Sequence, residues 1–143
     1  MNISVFVGIA GPVAIEEMRL VLTMDDFDQA IAFFRDKLGL KQLAAWENDG
    51  GHGILLEAGR ATLEIFDEAQ ARAIDEIEVG RRVAGKVRIG FQTTNSERVA
   101  NDLATVGAEI LGGPVVTPWG DRNVRLLGPE GIQLTLFRLG EDA

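Results

Sequence analysis

From Arg19 the chain reads RLVLTMDD, an apolar stretch rich in strand formers that ends on an acidic pair. FDQAIAFFRDKLGL follows, with Phe27, Ile31, Phe34 and Leu38 at helical spacing and Gly39 as a C-terminal stop. Three strands are then predicted at Lys41–Glu47, Gly53–Glu57 and Ala61–Phe66, with hairpin turns at Asp49-Gly50 and Gly59-Arg60. A second pass begins at Lys86. KVRIGFQTT predicts a strand, Asn95 or Ser96 a helix cap, and Val99, Leu103 and Val106 an apolar stripe before Gly107. Strands at Glu109–Leu111, Asn123–Leu127 and Ile132–Phe137 complete it, with Gly128–Gly131 as a turn.

The two passes share one plan. Arg19 aligns with Arg88, Leu38-Gly39 with Val106-Gly107, and ATLEIF (61–66) with IQLTLF (132–137). The expected fold is α+β, with two tandem βαβββ modules forming a curved, barrel-like mixed sheet with helices on its outer face. The boundaries are an N-terminal arm or extra strand (1–17), a first module (18–67), a partly helical connector (68–85), a second module (86–139) and a tail (140–143).

Side chains alternate between the faces of a strand. Leu20, Leu22 and Met24 therefore oppose Arg19, Val21 and Thr23, and Val87, Ile89 and Phe91 oppose Arg88, Gly90 and Gln92. Leu63 and Ile65 oppose Thr62, Glu64 and Phe66, while Leu134 and Leu136 oppose Gln133, Thr135 and Phe137. One sheet face is uniformly apolar and packs under the helices. The other mixes charge with aromatics and is either a solvated face with cross-strand pairs such as Arg19–Glu64 or the lining of a pocket.

Composition narrows the partners. The 143 residues carry 14 basic and 22 acidic side chains, a formal charge of −8 that argues against general nucleic-acid binding. Without cysteine there is no disulfide, thiolate metal site or cysteine nucleophile. No apolar run approaches the roughly 20 residues of a membrane span. The apolar start lacks a basic n-region, so a cytoplasmic location is the default. His52, the single histidine, lies between glycines in a turn and reads as solvent-facing; Asp25-Asp26 reads as helix capping. Trp46 and Trp119 are each open between lining a pocket and packing in the core or at a dimer contact.

The doubled βαβββ plan, DDFDQAIAFFRDKLGL, PWGDRNVRLLGPEG (Pro118–Gly131) and IQLTLF together resemble the vicinal oxygen chelate superfamily, over Met18 to about Leu139. That group includes glyoxalase I, extradiol dioxygenases, fosfomycin-resistance enzymes and bleomycin-resistance proteins. The resemblance implies two modules around a cleft, commonly in a homodimer, and metal ligands at four strand positions that fall here on Arg19, Glu64, Arg88 and Thr135. Only Glu64 is a competent ligand, because a guanidinium has no lone pair to offer and threonine is a poor replacement for a carboxylate. The implied ligand-binding set is Arg19, Glu64, Arg88, Thr135, Trp119, Gln92, Phe66 and Phe137, with Arg19 and Arg88 as a clamp whose charge exceeds that of Glu64.

The resulting expectation is a metal-independent protein that binds a small organic molecule, such as an antibiotic or metabolite, in a dimer cleft and without a cofactor. The alternative is a lyase, isomerase or dioxygenase dependent on divalent Fe, Mn, Ni or Zn. A third version uses Glu64 as a base; neighbouring cations would lower its pKa and weaken it.

Overall fold

The computed structural model describes residues 15–140, so the N-terminal arm up to residue 14 and the end of the tail lie outside the described residues. β1 (Glu17–Thr23) leads into α1 (Phe27–Ile31), a π-helical segment (Ala32–Lys37) and the strands β2 (Lys41–Asn48), β3 (Gly51–Ala58) and β4 (Ala61–Phe66). α2 (Glu68–Glu78) connects to β5 (Val87–Gln92), α3 (Ser96–Ala104), β6 (Glu109–Val116), β7 (Arg122–Leu127) and β8 (Gln133–Arg138). All eight strands join one mixed sheet in the order β2-β3-β4-β1-β5-β8-β7-β6. The halves meet where β1 runs antiparallel to β5, with Arg19 opposite Gly90 and Val21 opposite Arg88. Edge strands β2 and β6 do not pair, so the sheet is curved but not closed into a barrel.

Side-chain alternation sorts the core as periodicity predicts. Ile54, Leu56, Leu63 and Ile65 pack with Leu20, Leu22 and Met24 under Ala30, Phe27, Ile31 and Phe34. In the second module Val124, Leu126 and Leu136 meet Ala100, Val99 and Leu103 of α3. Asp26 caps α1 by accepting the Gln29 N–H at 3.0 Å, and Asn95 caps α3 by accepting that of Arg98 at 3.1 Å. The β2–β3 hairpin turns through Asp49 and Gly50 with φ of 49° and 79°, the left-handed pair that a tight two-residue turn requires.

Two predicted stripe residues leave the core. The Leu38 N–H bonds to the Phe33 carbonyl at 2.9 Å, an i to i+5 step. That extra residue per turn rotates Leu38 off the apolar face, leaving it exposed, and Leu40 takes the inward place. Val106 lies past the end of α3 and is exposed.

The largest departure concerns the connector. α1 and α3 cover the apolar face as expected, but α2 lies on the opposite face, not on the outside with them. Ala71 and Ile74 of α2 pack on Val21 and Phe66, with Trp46 alongside. α2 touches the sheet at both ends through glycines. A Cβ on Gly51 of β3 would stand 2.1 Å from the Gln70 nitrogen, and one on Gly112 of β6 2.0 Å from the Glu78 carbonyl oxygen. Gly112 is therefore a close-contact position within a strand, where the sequence predicts a loop. Gln70 and Glu78 are eight helical steps apart, about 12 Å, so α2 bridges the two arms of the sheet across its concave side. Among the described residues no helix is long and apolar enough to cross a membrane.

Candidate ligand-binding site

Curvature of the sheet and the bridge of α2 enclose a cavity of about 510 Å³. Its walls are mainly apolar and aromatic: Val21, Trp46, Leu55, Phe66, Ile74 and Phe137. Trp119 lies at its border, half exposed, with Nε1 donating to Asp121 Oδ2 at 2.9 Å. Arg19, Glu64, Arg88, Glu78, Asn123 and Thr135 are among the polar residues of the lining. Of the eight residues proposed from sequence, Arg19, Glu64, Arg88, Thr135, Trp119, Phe66 and Phe137 are brought together here. Gln92 is not. It sits at the end of β5, and its amide donates to Glu16 Oε2 at 3.1 Å, away from the cavity.

Arg19 is held between carboxylates, with Nε bound to Glu17 and Nη1 3.7 Å from Glu64 Oε2, and its guanidinium lies 4.7 Å from the centre of the Phe137 ring. Arg88 is buried. Its Nη1 donates to Thr135 Oγ1 at 2.6 Å, and its head lies 5.9 Å from the Phe66 ring centre. Burial and the nearby Arg125 lower its pKa below the usual guanidinium value, against the pull of Glu78, Glu64 and Asp75.

Sequence reasoning missed the other half of the polar cluster. Arg125 of β7 is wholly buried and reaches four partners: Asp75 Oδ1 at 2.7 Å, Gln133 Oε1 at 3.0 Å, Thr135 Oγ1 at 3.1 Å and Glu78 Oε1 at 3.3 Å. Asp75 also accepts N–H bonds from Val83 and Ala84 and pairs with Arg82 at 2.9 Å. Burial alone would raise the Asp75 pKa, but the Ala84 and Val83 amides and the Arg125 charge outweigh it and hold the carboxyl low. Strand alternation in β7 sets Asn123 and Arg125 opposite the core residues Val124 and Leu126. Ala71, Ile74, Asp75 and Glu78 share one stripe of α2, so the grouping of the two carboxylates on one face was readable in the helix, though not the side of the sheet it meets.

These residues change the electrostatics. Two arginines facing one glutamate would leave positive charge in excess. With α2 in place, Arg19, Arg88 and Arg125 face Glu64, Asp75 and Glu78, and the fully ionised cluster is balanced. The expected direction for Glu64 also reverses. Burial raises its pKa, and the charges of Arg19 and Arg88 offset this only in part, while Glu78 and Glu17 push the same way as burial. A carboxyl with a raised folded pKa contributes stability that is present below its unfolded value and is lost as pH rises through the folded one. Glu64→Gln has no such loss. The variant is therefore expected to gain thermal stability relative to wild type as pH increases from about 4.5 to 8. Melting temperatures across that range check this, and parallel curves would contradict it.

A divalent ion does not suit this donor set. Glu64 is the single carboxylate among the four strand positions Arg19, Glu64, Arg88 and Thr135. Thr135 Oγ1 accepts from Arg88 and Arg125 and donates to Glu78 Oε1 at 3.2 Å, which uses its proton and both lone pairs. Among the described residues no group of three or more His, Cys, Asp or Glu is placed to hold a metal.

His52 lies outside the cavity, half exposed, with Nδ1 3.0 Å from Asp67 Oδ2.

Two βαβββ modules joined through one sheet that lines a shared cavity define a paired-module class of α+β protein. A sequence model of the Glyoxalase/Bleomycin resistance protein/Dioxygenase superfamily matches residues 18–136, and the chain belongs to that superfamily. No curated protein matches it in sequence. Solved structures do match in fold. A hypothetical protein from Bacillus halodurans C-125 is 16% identical, with a TM-score of 0.65 over 87% of this chain and 94% of its own. Methylmalonyl-CoA epimerase from Mycobacterium tuberculosis is 15% identical, with a TM-score of 0.66 over 94% and 95%. A variant of the Streptomyces coelicolor methylmalonyl-CoA epimerase, in complex with 2-nitronate-propionyl-CoA, is 20% identical, with a TM-score of 0.64 over 90% and 96%.

Proposed function

We propose that this protein binds a small, flat organic molecule in the cavity between its two modules, without a metal ion. The observation that carries the reading is Arg88. A buried guanidinium lines a mainly apolar and aromatic chamber, and its one side-chain hydrogen bond among the described residues runs from Nη1 to Thr135. Buried donors are almost always paired, so an acceptor supplied by a ligand is the natural partner. The aromatic walls supply affinity through burial, and Arg88 supplies orientation.

The test has two arms. In the first, Arg88→Leu is expected to weaken binding of an aryl ketone such as 2-acetonaphthone at least tenfold by calorimetry, with folding confirmed by circular dichroism. Unchanged affinity would remove Arg88 from the site. In the second, wild-type protein is incubated with Fe, Mn, Ni, Zn or Co and dialysed. Background metal content and ligand binding unaffected by EDTA are expected. Near-stoichiometric retention of a metal, or binding that requires one, would return the reading to metal-dependent lyase, isomerase or dioxygenase chemistry.

Glu64 favours a second reading. Its carboxyl faces the cavity, burial raises its pKa towards the working range of a general base, and Arg88 lies on the same surface. That combination suits removal of a proton from carbon beside a carbonyl, with the guanidinium taking the oxygen. The fold likeness to methylmalonyl-CoA epimerases, which act on an acyl thioester, supports acyl compounds as the candidates. Solvent deuterium appearing at the α-carbon of a bound ketone, and absent with Glu64→Gln, would distinguish this from binding alone.

A further inference from the structure

Arg19 and Glu64 are diagonal neighbours on the parallel strands β1 and β4, where Arg19 stands opposite Thr62 and Val21 opposite Glu64. Both line the cavity, and their side chains are 18% and 11% exposed. Arg19 is fixed from behind. Its Nε donates to Glu17 Oε2, which also accepts from Thr62 Oγ1 at 2.9 Å, and its head lies over the Phe137 ring. That leaves the two Nη nitrogens. Among the described residues neither of them makes a hydrogen bond, neither Glu64 oxygen accepts one, and none of these four atoms is sealed from the cavity. Nη1 and Oε2 are 3.7 Å apart, too far for a hydrogen bond to each other. Glu64 differs in this from the other two inward carboxylates, since Asp75 and Glu78 are each engaged by Arg125 and by further donors.

The cavity wall therefore holds a donor and an acceptor side by side, both open. An anionic group at this spot would face the Glu64 carboxylate, and a cationic one the Arg19 guanidinium. A neutral group that gives one hydrogen and takes another suits both. In an amide the nitrogen and oxygen are roughly 2.2 Å apart by covalent geometry. Two hydrogen bonds of about 2.9 Å would splay only slightly to reach atoms 3.7 Å apart. An ordinary trans secondary amide carries its N–H and C=O on opposite edges. A cis amide locked in a ring presents both on one edge, and a flat ring also suits the walls of Trp46, Phe66 and Phe137. An N–H donor favours the ionised form of Glu64 and so works against the burial that raises its pKa.

We propose that the cavity selects a neutral, flat ring with a lactam edge, its N–H donating to Glu64 and its carbonyl accepting from an Arg19 Nη nitrogen. This rests on the reading of the cavity as a small-molecule site and specifies which chemistry it selects. Glu64 and Arg19 are then a specificity pair, beside the orienting contact from Arg88.

Five bicyclic compounds test it on the wild-type protein by calorimetry at neutral pH. 2-Quinolone carries the lactam edge, 1-methyl-2-quinolone keeps the carbonyl without the N–H, and 2-methylnaphthalene has neither. 2-(Aminomethyl)naphthalene brings a positive charge and 2-naphthoate a negative one. 2-Quinolone is expected to bind at least tenfold more tightly than each of the other four. Glu64→Leu is expected to bring 2-quinolone and 1-methyl-2-quinolone within about twofold of each other. The wild-type series decides the matter even if that variant does not fold. 2-Quinolone binding no more tightly than its N-methyl derivative would overturn the lactam inference while leaving a small-molecule site in place. So would an advantage that persists in Glu64→Leu, since it would then be steric. Tightest binding of the amine or of the carboxylate would overturn neutrality. No binding by any of the five would overturn both this inference and the reading on which it rests.

Discussion

Arg125→Met is expected to destabilise the protein by about 3–5 kcal/mol, the cost of removing one partner from a buried ionic cluster. Arg125 is wholly buried and bonds to both Asp75 and Glu78. Methionine fills most of the volume but leaves those two carboxylates in the interior without their main counter-charge. Arg125→Lys keeps the charge on one nitrogen, which cannot reach four acceptors at once, and a smaller loss is expected. The pH dependence gives an independent check. Asp75 has a depressed pKa, so its contribution is present above its unfolded value and is lost as pH falls through the folded one. The gap between wild type and Arg125→Met should be widest near neutrality and narrow below about pH 4. Urea unfolding across that range measures both. A loss under 1 kcal/mol at pH 7 would mean that Arg125 is not what holds α2 to the second module.

Gly112→Ala is expected to cost roughly 1–3 kcal/mol or more, as overpacking does when the contacted atoms cannot retreat. The new Cβ would stand 2.0 Å from the Glu78 carbonyl oxygen and 2.8 Å from Val79 Cα, both backbone. Neither side can yield easily: Gly112 is paired with Arg125 in the sheet, and the Glu78 side chain is held by Arg125 and Thr135. The strain therefore falls on the seat of α2. Because Ile74 and Glu78 form part of the cavity wall, loss of 2-acetonaphthone binding should accompany the loss of stability. Gly85→Ala is the control. Nothing lies within 4 Å of its would-be Cβ, and a change within about 0.5 kcal/mol is expected. If Gly112→Ala behaves like the control, α2 is not clamped against β6.

Much of the architecture was legible because its signals are local. The Asp49-Gly50 turn, the caps at Asp26 and Asn95, and the change from helical to alternating period each depend on a few neighbouring residues, and each appears where expected. Alternation also put Arg19, Glu64, Arg88 and Thr135 on one face, and they line one cavity. Gln92 obeys the same alternation but lies too far along β5 to reach it, since alternation selects a face and not a level along the strand. The Leu38 error is of another kind: helical spacing presumes 3.6 residues per turn, and the π-helical segment breaks that presumption just before Leu38.

The position of α2 was not legible, and much of the site's electrostatics follows from it. Its polar composition resembles a solvated connector. Only the contacts at Gly51 and Gly112, and the bonds from Arg125 to Asp75 and Glu78 across 50 and 47 residues of sequence, show that those carboxylates are interior. They cancel the expected surplus of positive charge, and burial reverses the direction in which Glu64 shifts. The sequence by itself determined the strands, the helices, the two-module plan and the face carrying the charged residues, because those are set by spacing along the chain. The tertiary structure alone decided which charges meet, how dry their surroundings are and which polar atoms stay unpaired, because these depend on distances between segments that spacing does not contain.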